Sequence, residues 1–277
     1  MMTTAESNDA KRLADSISQL PPMPQVAAKV LEMLESSTVT ADKLRKAIEA
    51  DPALAAAVLR LANSAMFSLP EQVTRISHAV TLIGFLRLRS LTLTTVLAGL
   101  KQTIPQRVAD CRDTIWEHSV NVALAARSFA EKLTPSWSEE AFVCGLLHDC
   151  GRLALLVTRT DDYAGLMQGG ELPTLDAERE RLGFDHTVLG RELLKGWGLG
   201  EPLTTCVASH HDDSSFDEPF GEVVALVALA DRSTCPAIEG DATRPAGLLG
   251  CDPELLEPLT EDVRLHVQEM RGELLSM

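Results

Sequence analysis

Apolar residues in this chain recur at intervals of three and four positions, which is the spacing of one face of an α-helix. Over residues 24–36 this face consists of Val26, Val30, Met33 and Leu34. Helix starts are marked as well, because Thr40 precedes the stretch ADKLRKAIEA and Asp51 precedes a proline at a first helical position. The first hundred residues are therefore predicted to form a series of short helices.

The rest of the chain shows the same helical spacing of apolar residues, and several of the helices predicted there are longer. Helices are predicted over residues 113–133, from 138 to beyond 151, and over 174–183 (a polar helix), 186–197, 202–211, 221–235 and 253–275. The stretch FLRLRSLTLTTVLAGL, residues 85–100, is rich in β-branched residues, but its length and its neighbours favour a helix. No segment alternates apolar and polar residues as a strand does. The predicted fold class is all-α.

A polar joint that contains a proline, KQTIPQRVAD at residues 101–110, divides the chain into two helical lobes. We predict a flexible N-terminus over residues 1–17 and an N-terminal helical lobe over residues 18–104. The second lobe, residues 105–277, includes the C-terminal helix. Because 45% of the residues are apolar, the chain can bury a substantial core.

The net charge and the cysteine spacing of the chain indicate which cellular compartment and which classes of binding partner to expect. The formal net charge is -15, so the chain as a whole has no electrostatic basis for binding a nucleic acid backbone. The N-terminus lacks the apolar core of a secretory signal, and no apolar run is expected to be long enough to span a membrane. None of the six cysteines forms a CxxC pair, which favours reduced, packed thiols in a cytoplasmic protein.

Several polar side chains lie on helix faces that are otherwise apolar. His118, His210 and Asp231 each have apolar neighbours one turn away on the same face. His148 and Asp149 stand side by side within the run AFVCGLLHDCGRLALL. A buried carboxylate is costly without a partner, so these groups are predicted to meet inside the fold.

A cluster of neutral imidazoles and carboxylates suits a divalent transition metal such as Fe, Mn or Zn. The candidate ligands are His118, His148, Asp149, His186, His210, His211 and Asp231. One or two ions are consistent with this set, and two ions would activate a water and hold a phosphoryl group. If the protein is an enzyme, Asp149 would contribute to hydrolysis, and Arg152, Arg191 or Lys195 would neutralise the substrate phosphate.

Each of these residues also has a purely structural interpretation. A single inward-facing histidine is more often hydrogen-bonded in a core than bound to a metal. His186 directly follows a capping aspartate, and His210 and His211 could end a helix in solvent. Arg152 could simply pair with a nearby carboxylate. The ordered set of residues therefore carries more weight than any one member.

The order H…HD…D, here His118, His148–Asp149 and Asp231, resembles that of the HD superfamily of metal-dependent phosphohydrolases. His186 and the pair His210–His211 match additional ligand positions of its HD-GYP branch, which cleaves cyclic di-GMP. The chain is also similar to the HDOD family, the HD-related output domain. The HDOD similarity covers most of residues 18–235 through LPPMPQVAAKVLEML, DPALAAAVLRLANSAMF, RISHAVTLIGFLRLRSL, WEHSVNVALAARSFA, EEAFVCGLLHDCGRLALL and GFDHTVLGRELLKGWGL.

The HDOD resemblance implies a bacterial cytoplasmic module of signal transduction, and many members of that family have no established catalytic activity. It implies protein partners of the response-regulator or cyclic-di-GMP-enzyme class. The HD-GYP pattern is incomplete, because HHDDSSFDEPFGE replaces its loop after the paired histidines. In addition, Arg152 replaces a lysine, and Thr114 stands where a glutamate ligand can occur. These departures argue against hydrolysis of cyclic di-GMP.

The leading hypothesis is an HDOD signalling protein that docks other proteins and holds a structural or regulatory metal between its helices. The alternative is a metal-dependent phosphohydrolase that acts on a nucleotide, a cyclic dinucleotide or another phosphate compound. A third interpretation is a hydrogen-bonded core with no metal. Neither nucleic acid nor a membrane is expected as a partner, and the sequence allows a homodimer without requiring one.

Overall fold

The computed structural model describes residues 4–64, 71–167, 170–234 and 241–275, and these ranges contain no β-strand. The all-α fold class predicted from the sequence is confirmed. The chain divides into two compact units, a smaller one of residues 22–99 and a larger one of residues 1–21 and 100–277. The division thus falls at residue 99, where the sequence places it at 104, and the N-terminal residues belong to the larger unit.

The N-terminus forms a helix, α1 (Thr4–Ser18), where the sequence predicts a flexible segment over residues 1–17. Ser16 is fully buried, and its hydroxyl accepts a hydrogen bond from Nε of Arg159 at 3.0 Å. The same guanidinium donates to the carbonyl of Arg12 at 2.8 Å. A packed helix therefore replaces the expected flexible segment, because Arg159, more than 140 positions away in the chain, holds it.

The smaller unit consists mainly of short helices, and Thr40 and Asp51 cap the starts of two of them, as the sequence predicts. They are α2 (Gln25–Glu35), α3 (Ala41–Ile48), α4 (Pro52–Ala62), α5 (Ile76–Ile83) and α6 (Phe85–Thr103), the last of which continues past residue 99. The hydroxyl of Thr40 accepts from the amide of Lys43 at 3.3 Å, and the Asp51 carboxylate accepts from two amides at the start of α4. Leu44 and Val58 are fully buried, so this unit has a core of its own.

The larger unit contains α1 and the remaining helices. In chain order these are α7 (Ala109–Leu133), α8 (Ser138–Leu147), α9 (Cys150–Thr158), α10 (Thr160–Leu166), α11 (Leu175–Leu182), α12 (His186–Gly196), α13 (Leu203–Ser209), α14 (Gly221–Thr234), α15 (Thr243–Leu248) and α16 (Pro253–Leu275). The long helix α7 is central to this unit, because α8, α14 and α16 all pack against it. Five of the six cysteines are free thiols, and Cys235 lies outside the described residues.

The apolar run around His148 and Asp149 forms two helices, α8 and α9, where the sequence predicts one helix that continues past residue 151.

Residues Pro135–Thr158 are long and apolar enough to cross a membrane, which corrects the expectation that no run reaches that length. The pair α5 and α6 passes the same test but is bent by 111°. Within the fold, 89% of the Pro135–Thr158 window is buried, as is typical of a core helix.

Candidate metal centre

All seven side chains predicted as ligands converge inside the larger unit. Two of them lie within helices, on α7 and α14, and the other five stand at helix ends, where a side chain projects past the packed helix body. Of the seven, those at most 1% exposed are His148, Asp149, His186, His210 and Asp231. His118 is 8% exposed, and His211 is partly exposed.

The first group of ligand atoms, the His118 set, comprises His118, His148, Asp149 and Asp231. Nε2 of His118 lies 3.2 Å from Nε2 of His148 and 3.0 Å from Oδ1 of Asp231. Oδ2 of Asp149 lies 3.6 Å from Nε2 of His118 and 3.5 Å from Nε2 of His148. Two imidazoles and two carboxylates therefore turn their ligand atoms toward one another.

The second group, the His186 set, comprises Asp149, His186, His210 and His211, whose ligand atoms all lie within 4.8 Å of one another. Nε2 of His186 is 3.1 Å from Oδ1 of Asp149 and 3.5 Å from Nε2 of His210. Asp149 belongs to both sets. It presents Oδ2 to the His118 set and Oδ1 to the His186 set.

Hydrogen bonds on the far side of two rings fix which nitrogen carries the proton. Nδ1 of His148 lies 2.7 Å from the carbonyl of Gly145, and Nδ1 of His210 lies 3.1 Å from the carbonyl of Val207. A carbonyl oxygen only accepts, so both Nδ1 atoms are protonated and Nε2 of each neutral ring carries a lone pair. These lone pairs face other ligand atoms, an arrangement that a bound cation stabilises.

Burial keeps these imidazoles neutral, while neighbouring groups keep the carboxylates ionised. Burial lowers the pKa of His148 and lowers the pKa of His210 to about 3. Burial acts to raise the pKa of Asp149, but Arg152 and the adjacent imidazoles hold it well below its usual range. The pKa of Asp231 is lowered against the same effect of burial, chiefly by His118. Neutral imidazoles and ionised carboxylates are the forms in which these groups bind metals.

His186 differs from the other rings because it lies between two carboxylates. Its Nδ1 is 2.7 Å from Oε2 of Glu178, and its Nε2 faces Asp149. Burial and Arg152 act to lower the pKa of His186, but Glu178 and Asp149 raise it to about 9. Without a cation the ring is therefore protonated; its Nδ1 is hydrogen-bonded to Glu178, and its Nε2 is ion-paired with Asp149. A cation on this side would replace the proton on Nε2.

Three buried polar atoms of the predicted ligands have no well-formed hydrogen bond: Oδ1 of Asp149, Oδ1 of Asp231 and Nε2 of His211. Buried groups of this kind normally have a partner. A divalent ion coordinated by nitrogen and oxygen atoms would provide one, and this set of donors suits Mn, Fe or Zn. The residues present therefore fit a transition-metal centre.

Arg152 is buried behind Asp149 and is only 2% exposed. Its Nε donates to Oδ2 of Asp149 at 2.8 Å, and its Nη1 donates to Oε1 of Glu178 at 2.8 Å and to the hydroxyl of Tyr163 at 3.0 Å. The sequence offers Arg152 either as a phosphate-binding group or as the partner of a carboxylate. The observed geometry corresponds to the partner of a carboxylate.

Glu178 belongs to this site but is not among the candidates that the sequence predicts, because most residues of α11 are polar. It is fully buried, and its carboxylate contacts both Arg152 and His186. A signal was available in the spacing, since Glu178 lies three residues after Leu175 and four residues before Leu182, which is buried. Glu178 is therefore on the inward face of α11.

Two glycines allow the helices to approach closely enough for the ligands to meet. A Cβ atom on Gly151 of α9 would lie 1.9 Å from the carbonyl oxygen of His186, and one on Gly145 of α8 would lie 2.9 Å from Cα of Ala123. Both distances are shorter than packed atoms permit. Gly151 thereby brings α9 against the start of α12, next to Asp149, and Gly145 brings α8 against α7.

The order of these candidate ligands along the chain, and the helices that carry them, agree with a known protein family. The model of the HDOD domain matches residues 20–213, which is more than half of the chain. The chain belongs to the HDOD family. The resemblance noted in the sequence is thus confirmed at the level of the family.

Relatives of this HDOD protein were found among curated proteins and among solved structures. An uncharacterised protein of Treponema pallidum is 26% identical over 234 residues, which cover 81% of this chain and 44% of that protein. The chain thus spans less than half the length of this curated relative. An HDOD protein of unknown function from Geobacter sulfurreducens has a TM-score of 0.77 at 24% identity, with 96% of this chain and 98% of that chain covered. A Shewanella amazonensis protein, provisionally named a phosphohydrolase, has a TM-score of 0.70 at 25% identity, with 95% and 98% covered.

Proposed function

We propose that this HDOD protein is a regulatory module of bacterial signal transduction that acts through protein partners and holds a divalent metal in its larger unit. The expected partners are signalling proteins of the response-regulator or cyclic-di-GMP-enzyme class, in the cytoplasm. Membership of the HDOD family supports the regulatory role. The buried cluster of histidines and aspartates supports the metal.

The observation that carries the proposal is the enclosure of the ligand cluster. Five of the seven candidate ligands are at most 1% exposed, and Arg152 is bonded to two buried carboxylates. A hydrolase has to bring the substrate phosphate to the metal and to provide groups that hold it there. An enclosed centre whose arginine is already paired favours a metal that stabilises or regulates the fold over one that turns over substrate.

Affinity capture combined with an activity assay tests the proposal. The wild-type protein serves as bait in lysate of the source bacterium, and captured proteins are quantified by mass spectrometry. Wild type and His148→Ala are also assayed with Mn²⁺ or Fe²⁺ on cyclic di-GMP and on bis(p-nitrophenyl) phosphate. We expect enrichment of response regulators or cyclic-di-GMP enzymes, and equal background hydrolysis by both proteins. Failure to enrich either class under several growth conditions would contradict the proposal.

The carboxylate of Asp149 favours a second candidate, a metal-dependent phosphohydrolase acting on a nucleotide or a cyclic dinucleotide. Its two oxygens face different sets of imidazoles, as a ligand shared between two ions would, and the provisional name of the Shewanella relative agrees with this activity. Bound ions would supply an activated water, while Asp149 and the imidazoles would hold them. Metal-dependent hydrolysis that His148→Ala abolishes would establish this candidate in place of the first.

A further inference from the structure

Contacts link Asp149, Arg152, Glu178 and His186 into a ring inside the larger unit. Oδ2 of Asp149 accepts from Nε of Arg152 at 2.8 Å, and Nη1 of Arg152 donates to Oε1 of Glu178 at 2.8 Å. Oε2 of Glu178 is 2.7 Å from Nδ1 of His186, and Nε2 of His186 returns to Oδ1 of Asp149 at 3.1 Å. All four residues are at most 2% exposed, so solvent does not compete for these contacts.

Further hydrogen bonds connect the side chains of this ring to neighbouring groups. The hydroxyl of Tyr163 donates to Oε1 of Glu178 at 2.9 Å, and the carbonyl of Pro173 accepts from Nη1 of Arg152 at 2.9 Å. The backbone amide of His186 donates to Oε2 of Glu178 at 2.8 Å. The weak point of the ring is Oδ1 of Asp149, which lacks a well-formed hydrogen bond although His186 is near. Oδ1 of Asp149 is therefore the open edge of the ring, that is, its one atom without a well-formed hydrogen bond, and it faces the other candidate ligands.

The buried side chains around this open edge carry a net charge of about −2 when the imidazoles are neutral ligands. Three negative charges come from Asp149, Asp231 and Glu178, and one positive charge comes from Arg152. The nearby buried carboxylate of Asp185 is balanced separately, since it accepts from Arg179 at 2.7 Å. One divalent ion would neutralise the cluster, whereas two would leave a net positive charge of the same size. Burying uncompensated charge is strongly unfavourable.

We propose that this centre holds one divalent ion rather than two, and that the Arg152–Glu178 pair positions two of the ligands of that ion. The pair is neutral, so it leaves a cluster charge that one ion balances, and it orients the ligand atoms of Asp149 and His186 toward that ion. Glu178 acts through His186 and Arg152 acts through Asp149, which makes both of them positioning residues. The inference rests on the proposed function in one respect, because it requires that a metal binds.

The number of ions per chain tests the inference directly. The full-length protein is saturated with Zn²⁺ or Mn²⁺, desalted, and subjected to elemental analysis. We expect one ion per chain. Two ions per chain would overturn the inference and leave the proposed partner-binding role intact. No bound ion at all would overturn it together with the metal of the proposed function.

Substitutions of Glu178 test the role of the pair through metal affinity, measured for Zn²⁺ by competition with a chromophoric chelator. Glu178→Gln preserves the shape of the side chain but removes one negative charge and weakens its hold on His186. We expect affinity to fall roughly 10- to 100-fold. Glu180→Gln, on the exposed side of the same helix, should bind as wild type does. Equal affinity of Glu178→Gln and wild type would overturn the assigned role.

A double variant, Arg152→Gln with Glu178→Gln, tests the charge count. It returns the cluster to about −2 through Asp149 and Asp231 alone, so we expect tighter Zn²⁺ binding than in Glu178→Gln, with one ion per chain. Circular dichroism establishes that each variant is folded. If the double variant does not fold, the comparison of Glu178→Gln with Glu180→Gln decides the question. Binding by a folded double variant that is no tighter than by Glu178→Gln would contradict the charge argument.

Discussion

Nε2 of His118 and Nε2 of His148 lie 3.2 Å apart, although the two residues are 30 positions apart in the chain. Nδ1 of His148 donates a hydrogen bond to the carbonyl of Gly145, so Nε2 of the same ring faces His118 with a lone pair. The carboxylate oxygens of Asp149 and Asp231 lie beside this contact. A cation among these atoms would be attracted to all of them, which is the geometric basis for expecting a metal in the folded protein.

Removal of the metal should destabilise the fold. At a free ion concentration about 100 times Kd, binding to the native state alone adds ~2.7 kcal/mol to the free energy of unfolding. For a chain of this size that corresponds to a fall in Tm of about 5–10 °C on removal. Thermal melting of the EDTA-treated protein and of the same sample reloaded with Zn²⁺ measures the difference. An unchanged Tm, after elemental analysis has shown that the metal is gone, would contradict the prediction.

Asp231→Asn should weaken metal binding while leaving the protein folded. The substitution removes one carboxylate from the His118 set and keeps the size of the side chain. We expect the Kd for Zn²⁺ to rise at least about 100-fold, equivalent to ~2.7 kcal/mol. Asp217→Asn, at an exposed aspartate outside the cluster, is the matched control and should not change the Kd. Wild-type affinity in Asp231→Asn would exclude Asp231 as a ligand.

The fold class and the convergence of the ligands could be predicted because helical periodicity is a local property. Apolar neighbours one turn away were sufficient to place His118 and Asp231 on inward faces, and both are buried. The role of Glu178 could not be predicted in this way, because it depends on Arg152, 26 residues earlier in the chain. Likewise, α1 is held by Arg159, which no local pattern relates to the N-terminus.

The junction between α8 and α9 shows the same limit. The sequence predicts a helix that continues past residue 151, because apolar residues extend on both sides of His148 and Asp149. In the structure α8 ends at Leu147 and α9 begins at Cys150. At the junction, Asp149 accepts from Arg152 and faces His186, a contact made across the fold. Local sequence patterns do not predict tertiary contacts of this kind, because the residues that make them are far apart in the chain.

Gly151→Ala should destabilise the protein and reduce metal binding together. The new Cβ would collide with the carbonyl of His186, so α9 and α12 would have to separate and Asp149 would move away from the His186 set. We expect a loss of ~3 kcal/mol in the free energy of unfolding, measured with urea. Gly165→Ala on α10 is the control, since no neighbouring atom lies within 4 Å of the added Cβ. If both variants had the same stability, close packing at Gly151 would not be the cause.

Arg159→Ala should release α1 from the larger unit without unfolding the rest. The guanidinium donates to the hydroxyl of Ser16 and to the carbonyl of Arg12, and its loss leaves Ser16 buried without this partner. We expect a cost of ~1–3 kcal/mol and faster amide hydrogen exchange over residues 8–18. Arg107→Ala removes an exposed ion pair with Asp161 and should change neither quantity. Protection over residues 8–18 as strong in Arg159→Ala as in wild type would show that other contacts hold α1.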